Sequence, residues 1–184
     1  IVAVTNQTGG VGKSTNTVHL AAALGEMGCK NLIFDLDPGC GSTHHLGVNG
    51  KSYSGTFDIF VADENPLELA ISENLPYGVH LIPARTQLSE LDKYLSKFKD
   101  KTTILNRALE LARPRYDFIW LDTPPNPGAT TTIAAYASAD WFLISAFPHA
   151  LSFHGLNEAL ADIADVRREK NPKLEILGVI LTAV

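Results

Sequence analysis

Residues 1–15 read IVAVTNQTGGVGKST, and this stretch decides the fold. The apolar, β-branched run Ile1–Thr5 predicts a buried strand, and Lys13–Met27 predicts a helix that Gly28 ends. A glycine-rich turn between a strand and a helix is the context that a phosphate-binding loop requires. Its glycines let backbone N–H groups approach phosphate oxygens, and the helix N-terminus adds partial positive charge. The alternative is a glycine-rich turn without a ligand.

Within this loop, we expect the Lys13 ammonium to reach the β- and γ-phosphates of a nucleoside triphosphate and the Ser14 hydroxyl to bind Mg²⁺. The common G-x-x-x-x-G-K-[ST] pattern fails at its first position, which is Gln7, so the loop is of a different kind. The expected nucleotide-binding residues are Thr8, Gly9, Gly10, Val11, Gly12, Lys13, Ser14 and Thr15.

Two carboxylates follow the predicted strand Asn31–Asp35, in the sequence Asp35-Leu36-Asp37-Pro38. Side chains two residues apart on an extended chain face the same side. At the carboxyl end of a strand, they point into the crevice where open α/β sheets bind ligands. One carboxylate is expected to serve the metal shell and the other to orient the attacking water. The alternative is an Asp-Pro turn that only ends the strand.

A second acidic motif follows the predicted strand Phe118–Asp122, where the chain reads Asp122-Thr123-Pro124-Pro125. Asp122 is expected to hold Mg²⁺ through water. The two prolines force an irregular turn, which suits a switch that senses the γ-phosphate. A strand that merely ends in Asp is again the alternative.

Length and composition exclude several classes. The chain has 184 residues, which indicates a single domain, and its two cysteines are too few for a disulfide framework. The net charge of −5 argues against a dedicated nucleic-acid-binding domain. The densest positive stretch holds Lys93, Lys97, Lys99 and Lys101, which we interpret as a solvated helix face and loop. No apolar run is long enough to span a bilayer.

Short apolar strands alternate with helical patterns, which predicts an α/β fold with a mostly parallel central sheet and helices on both faces. The predicted strands are Ile1–Thr5, Asn31–Asp35, Val79–Pro83, Phe118–Asp122, Trp141–Ser145 and Ile176–Thr182. The predicted helices are Lys13–Met27, Phe57–Ala62, Thr103–Ala112, Thr130–Ala137 and Leu156–Glu169. In the first helix, Leu20, Leu24 and Met27 have helical spacing and are expected in the core. Pro38–Gly55 and Ser72–Gly78 are expected to be irregular.

Three residues, Cys40, His44 and His45, lie close together, but no fourth ligand is evident and their spacing matches no zinc pattern. We therefore do not assign a metal site there. His19, His149 and His154 are interpreted as structural.

The quoted motifs resemble the deviant Walker ATPases of the ParA/MinD type, and ParA more closely than MinD. The resemblance begins in residues 4–15 and continues to the end of the chain, so it covers essentially all of it. It is carried further by Leu20–Leu24, Asp35–Pro38, Leu46-Gly47, Leu81–Ala84, Tyr116-Asp117, Asp122–Pro125, Gly155-Leu156, Asn171-Pro172 and Ile176–Val179.

The resemblance implies a P-loop ATPase fold, ATP and Mg²⁺ as cofactors, and a homodimer in the ATP state. It implies a slow hydrolysis stimulated by an adaptor protein, non-specific DNA as a partner, and a cytoplasmic, nucleoid-associated location; a membrane is not expected. The cargo would be a plasmid, a chromosome or a protein organelle such as the carboxysome. Lys13 and Asp37 would be catalytic, with Asp37 positioning the water, and Ser14, Asp35 and Asp122 would serve the metal.

Three departures from the family pattern stand out. The signature lysine, which reaches the partner subunit's phosphates, is replaced by Thr8, as in McdA-type ATPases that distribute carboxysomes. Arg85, Arg107 and Lys101 are candidates to replace its charge. The usual Asp-Pro-Gln-Gly-Asn run reads Asp-Pro-Gly-Cys-Gly over residues 37–41. Family members also continue past the last strand, so we expect residues 1–184 to form one ATPase domain that lacks a C-terminal portion.

Two other functions remain open from the residues. One is a metabolic P-loop enzyme that transfers phosphate to a small acceptor, and the other is a nucleotide-binding scaffold with little hydrolysis. The second is motivated by Thr8. An iron–sulfur enzyme of the nitrogenase type is rejected, because neither cysteine lies where a cluster would be bridged.

Overall fold

The computed structural model describes residues 1–48, 54–61, 67–71, 75–95, 102–148 and 150–182. Six strands form one sheet in which all neighbouring strands are parallel, in the order β3-β2-β4-β1-β5-β6. The strands are β1 (Val2–Thr5), β2 (Asn31–Asp35), β3 (Val79–Ile82), β4 (Phe118–Asp122), β5 (Trp141–Ala146) and β6 (Glu175–Leu181). Each predicted strand is confirmed to within one residue at either end.

Eight helices lie among the described residues, and three short 3₁₀ turns cover Pro76–Gly78, Thr86–Glu90 and Arg113–Arg115. The helices are α1 (Lys13–Glu26), α2 (Gly41–His45), α3 (Thr56–Val61), α4 (Leu67–Ala70), α5 (Leu91–Tyr94), α6 (Thr102–Ala112), α7 (Thr130–Ser138) and α8 (Ala150–Glu169). The predicted α/β fold class is confirmed. The helix predicted to start at Leu156 begins six residues earlier, at Ala150.

The central strands are covered on both faces of the sheet. Successive side chains of a strand point to opposite sides, so each face packs against its own helices. Ile33, on β2, packs with the face that α1 covers through Val18 and Ala21. Leu32 and Phe34 point to the opposite core, which α3 to α8 cover. The central strands are buried throughout, as expected for a parallel sheet between two helical layers.

Two expectations about α1 and the segment after β2 are wrong. Met27 is 78% exposed, because α1 ends at Glu26 and Gly28 adopts a φ of 90° that turns the chain away from the sheet. The stretch 38–55 is not wholly irregular, since α2 forms inside it; residues 49–53 of that stretch lie outside the described ranges.

The order of the strands reverses at β1, which lies between β4 and β5. A crevice therefore opens beyond the carboxyl ends of these strands, the place where open α/β sheets bind ligands. The loop of residues 6–12 leaves β1 at this point. Within the described part of the chain, no helix is both long and apolar enough to cross a bilayer.

Candidate functional site

The loop between β1 and α1 has the backbone of an anion site. Gly10 has a φ of 74° and Gly12 a φ of 84°, in the left-handed region that favours glycine. The N-terminus of α1 carries no side-chain cap, so its first N–H groups are available to a ligand. A Cβ added at Gly9 or Gly10 would meet no atom within 4 Å, so the loop faces open space. This cradle fits a phosphate chain.

Lys13 is the cation of this cradle. Its side chain is buried, and its Nζ donates a hydrogen bond to the carbonyl oxygen of Thr8 at 3.1 Å. Burial lowers the pKa of Lys13, and the nearby carboxylates of Asp122 and Asp37 oppose that shift. A buried ammonium group held within its own loop can donate to phosphate oxygens when they enter.

Polar groups at the ends of β1, β5 and β6 hold the loop in place, and sequence reasoning missed them. The Asn6 amide donates to the Ser145 carbonyl at 2.8 Å. The Ser145 hydroxyl donates to the Val11 carbonyl at 2.6 Å, and the Thr182 hydroxyl donates to the same carbonyl at 3.1 Å. Polar residues that end apolar strands were the available signal, but only the strand order shows which of them meet the loop.

Asp122, at the end of β4, lies beside Ser14. The Ser42 hydroxyl donates to Asp122 Oδ2 at 2.7 Å, and the Ser14 hydroxyl also donates to this carboxylate. The other oxygen, Oδ1, is buried and accepts no hydrogen bond from the described residues. An orphaned buried carboxylate oxygen next to a serine hydroxyl is a donor set that fits Mg²⁺ and its bound water.

Asp35, at the end of β2, has a different environment. Its Oδ2 accepts hydrogen bonds from the Thr43 backbone N–H at 2.9 Å and from the Thr43 hydroxyl at 2.7 Å. Its Oδ1 accepts the Asp37 N–H at 3.2 Å. The sequence placed Asp35 in the metal shell, whereas in the structure both of its oxygens already bind protein groups.

The two carboxylates stand side by side, because Asp35 and Asp122 are directly opposed in the register of β2 and β4. Both are fully buried. Burial, followed by the charge of Asp122, raises the pKa of Asp35. Burial also raises the pKa of Asp122, while the hydrogen bonds from Ser42 and Ser14 oppose that shift. A divalent cation would relieve this repulsion, which makes the pair a fitting metal environment.

Asp37 lies in the short connection between β2 and α2. It is half-buried, its Oδ1 accepts the Gly39 N–H at 2.8 Å, and its carbonyl accepts the Cys40 N–H at 2.8 Å. Its charge acts on both Lys13 and Asp122. The structure thus brings together Lys13, Ser14, Asp37 and Asp122, which the sequence had proposed for one site.

Thr8, which stands where the family pattern has its signature lysine, faces α8. A Cβ added at Gly155 of that helix would lie 2.4 Å from the Thr8 hydroxyl and 2.5 Å from Asn6 Oδ1. Gln7 also binds α8, since its amide donates to Asp162 Oδ2 at 2.6 Å. Helix α8 therefore packs closely on the first half of the loop.

Of the three candidate cations, Arg85 pairs with Asp58 at 3.0 Å. Arg107 is exposed on α6, and Lys101 lies outside the described residues.

The histidines and cysteines do not extend the site. Among the described residues, no group of three or more His, Cys, Asp and Glu side chains is placed to hold a metal ion. His44 and His45 are exposed on α2, whereas Cys40 is buried. His19, expected to be structural, is exposed on α1, whereas His149 and the side chain of His154 lie outside the described part of the structure.

Comparison with known proteins matches residues 1–176 to the AAA_31 family, described as an AAA domain. The sporulation initiation inhibitor protein Soj of Bacillus subtilis (strain 168) is 34% identical, over 99% of this chain and 72% of Soj. The chromosome partitioning protein ParA of Caulobacter vibrioides (strain NA1000 / CB15N) is 31% identical, over 99% of this chain and 68% of that protein.

Two solved structures share the fold. One, titled cobyrinic acid a,c-diamide synthase from Mycobacterium smegmatis with bound ATP analog and magnesium, is 29% identical with a TM-score of 0.90, covering 98% of this chain and 73% of the other. The other, an ATP complex of a McdA variant from Cyanothece, is 25% identical with a TM-score of 0.87, covering 98% of this chain and 68% of the other.

Proposed function

The chain belongs to the ParA/MinD-type P-loop ATPases of the AAA_31 family, and on this premise we propose that it is an ATP-driven positioning switch. ATP and Mg²⁺ are its cofactors, and ATP binding produces a homodimer. That dimer associates with non-specific DNA of the nucleoid in the cytoplasm. An adaptor protein stimulates a slow hydrolysis, which releases the dimer and moves or segregates a plasmid, a chromosome or a protein organelle such as the carboxysome.

One observation carries the proposal: the uncapped loop with its buried Lys13 lies against the Ser14–Asp122 contact, where Asp122 Oδ1 has no partner in the described structure. Lys13 and the loop N–H groups bind the phosphates, and Ser14 and Asp122 hold the metal and its water. When bound, Mg²⁺ neutralises charge that develops on the phosphate oxygens during transfer. The protein supplies position and electrostatics, which dominate this chemistry.

Asp37 orients the attacking water in this proposal. It is half-buried, so solvent water can reach it, and it stands between the end of β2 and α2. It lies close enough to Lys13 and Asp122 for its charge to raise the pKa of each. A carboxylate at this position accepts a hydrogen bond from water and aims it.

The residue at position 8 affects the contact between the two subunits of the proposed dimer, because Thr8 replaces the lysine of the family pattern. A neutral side chain adds no positive charge to the phosphates of a partner subunit. Arg107 and Lys101 are the candidates left to replace that charge, because Arg85 already pairs with Asp58. If the charge is limiting, Thr8→Lys strengthens ATP-dependent dimerisation, as light scattering measures it. Unaltered dimerisation and hydrolysis in that variant would show that position 8 is not limiting.

The decisive experiment measures ATP turnover with and without non-specific double-stranded DNA, for wild type, Lys13→Ala and Asp37→Ala. Lys13→Ala should abolish ATP binding, and Asp37→Ala should retain ATP while accumulating the dimer. Unchanged nucleotide affinity in Lys13→Ala would contradict the loop assignment. Normal turnover in Asp37→Ala would remove that residue from catalysis.

A second candidate function is a metabolic ATP-dependent enzyme, which the name of the M. smegmatis structural neighbour favours. The two candidates differ in their response to macromolecules. A positioning switch binds DNA in the ATP state, whereas a metabolic enzyme turns over ATP only with a small acceptor and ignores DNA. Turnover that depends on an added small acceptor and is insensitive to DNA would favour the second. A chain that binds ATP in both assays without turnover would be a scaffold.

A further inference from the structure

Asp35 is the centre of a buried hydrogen-bond network outside the phosphate loop. Its side chain is fully buried and accepts three hydrogen bonds, two from Thr43 and one from the Asp37 N–H. Its backbone carbonyl accepts the Thr56 hydroxyl at 2.6 Å, where α3 begins. One residue at the end of β2 therefore fixes the segments on both sides of α2.

Thr43 extends this network to the neighbouring strand. It lies within α2 and is buried, and its hydroxyl both donates to Asp35 and accepts the Ala84 N–H at 2.9 Å. Ala84 follows the end of β3, so α2 is tied to the ends of two adjacent strands. A hydroxyl that donates and accepts at once holds its helix in one position.

The other side of α2 lies on the magnesium-binding residues. Gly41 approaches Ser14 so closely that an added Cβ would be 2.2 Å from the Ser14 hydroxyl oxygen. Ser42, the next residue, donates to Asp122. The position of α2 therefore sets the position of Ser42 against Asp122, and Asp37 lies in the connection that leads to it.

We propose that Asp35 and Thr43 form a positioning pair that fixes α2, and thereby Asp37 and Ser42, for ATP hydrolysis, and that Asp35 is not itself a magnesium ligand. This inference rests on the proposed function. Both Asp35 oxygens are occupied by protein donors, whereas Asp122 keeps a buried oxygen that accepts nothing from the described residues. Mg²⁺ usually takes only one or two carboxylates from a protein.

The first test separates turnover from metal binding in Asp35→Asn, Thr43→Val and Thr43→Ser. In the first two variants, we expect kcat to fall about tenfold or more while KM for ATP and the half-saturating Mg²⁺ concentration change less than about threefold. Thr43→Ser keeps the hydroxyl and should restore most of kcat. The double variant Asp35→Asn/Thr43→Val should be no worse than the poorer single variant, because both remove one network.

Two results would overturn the proposal. If Asp35→Asn raised the Mg²⁺ requirement about tenfold and excess Mg²⁺ restored its kcat, Asp35 would be a metal ligand. If Thr43→Ser lost as much kcat as Thr43→Val, the hydroxyl would not be the positioning group.

The second test needs neither metal nor nucleotide. Amide hydrogen exchange over residues 39–45 should be faster in Asp35→Asn and Thr43→Val than in wild type and Thr43→Ser, since α2 then opens locally. Unchanged exchange in Asp35→Asn and Thr43→Val would contradict the positioning pair. A wild-type chain that hydrolysed no ATP would defeat the proposed function, and the exchange experiment would still decide the positioning pair.

Discussion

The ends of β2 and β4 look alike in sequence and differ in structure. Each is an apolar strand that finishes in a buried aspartate, and the two aspartates are opposed in the register. At β2, Thr43 and the Asp37 N–H satisfy both oxygens of Asp35. At β4, hydroxyl groups bind Asp122 but leave Oδ1 without a partner in the described structure. The difference teaches that a buried carboxylate oxygen without a hydrogen-bond donor favours a metal at that place. The presence of an aspartate at a strand end is not sufficient.

The largest expected effect comes from removing the carboxylate with the free oxygen. Asp122→Asn should raise the Mg²⁺ concentration for half-maximal ATP binding and lower turnover about 10- to 100-fold, because an amide cannot hold the metal-bound water as a carboxylate does. Magnesium titrations of ATP binding and turnover measure this. Asp35→Asn is the matched variant, and its Mg²⁺ requirement should stay near the wild-type value. Equal magnesium defects in both variants would erase the contrast between the two strand ends.

Gly41→Ala tests the surroundings of Asp122 by introducing a steric overlap with Ser14. The new Cβ would lie 2.2 Å from Ser14 Oγ and 2.7 Å from Ser14 Cβ. Relieving that overlap moves α2 or Ser14, so we expect a loss of about 2 kcal/mol in the free energy of unfolding and a weaker Mg²⁺ response. Urea denaturation measures the first. Gly178→Ala on β6 is the control, because its Cβ would meet no atom within 4 Å. Equal stability losses in the two variants would show that the contact with Ser14 is unimportant.

The pH dependence of the free energy of unfolding tests whether the charges of Asp35 and Asp122 interact. The folded-state pKa values of Asp35 and Asp122 are raised above their usual range by burial and by the charges around them. The folded protein therefore holds extra protons above about pH 4, and its free energy of unfolding falls as pH rises from there through the raised pKa values. In magnesium-free buffer, each carboxyl should lower the free energy of unfolding by up to about 1.4 kcal/mol per pH unit over the range between about pH 4 and its raised folded-state pKa.

Asp122→Asn should flatten this dependence, because it removes one carboxyl and also the like charge that acts on Asp35. Urea denaturation at several pH values, without metal or nucleotide, measures the slope. A slope in Asp122→Asn as steep as in wild type would mean that the two carboxyls do not share their titration.

The smallest expected effect concerns the Asp35 end alone. Thr56→Val removes the hydrogen bond from the Thr56 hydroxyl to the Asp35 carbonyl, which should cost about 1 kcal/mol of stability. The magnesium requirement should not change, because the residues proposed to hold the metal, Ser14 and Asp122, are not partners of the Thr56 hydroxyl. Thermal denaturation and a magnesium titration check both parts. A changed magnesium requirement would contradict the division between the two ends.

Sequence patterns predicted most of the fold because strands buried on both faces are continuous apolar runs. The central strands β1, β2 and β4 follow that rule, whereas the edge strand β6 is apolar but largely exposed, and α1 begins at Lys13 as expected. The exposure of Met27 was not predictable from its helical spacing, because the helix ends one residue before it and Gly28 redirects the chain. Helix α2 was missed because five residues rich in Ser, Thr and His carry no apolar period.

The functional site also divides into residues that the sequence predicted and residues that only the fold brings together. Lys13, Ser14 and Asp122 could be read from the loop and from the strand that ends in aspartate, because local order along the chain places them. The contribution of Asn6, Ser145 and Thr182 to the loop could not, since it depends on β5 and β6 lying beside β1. The sequence alone determined the family, the phosphate loop and the residue types of the site. Only the tertiary structure decided which of two similar aspartates is already satisfied, because hydrogen bonds between Asp35 and Thr43, eight residues apart, form only when α2 folds back over β2.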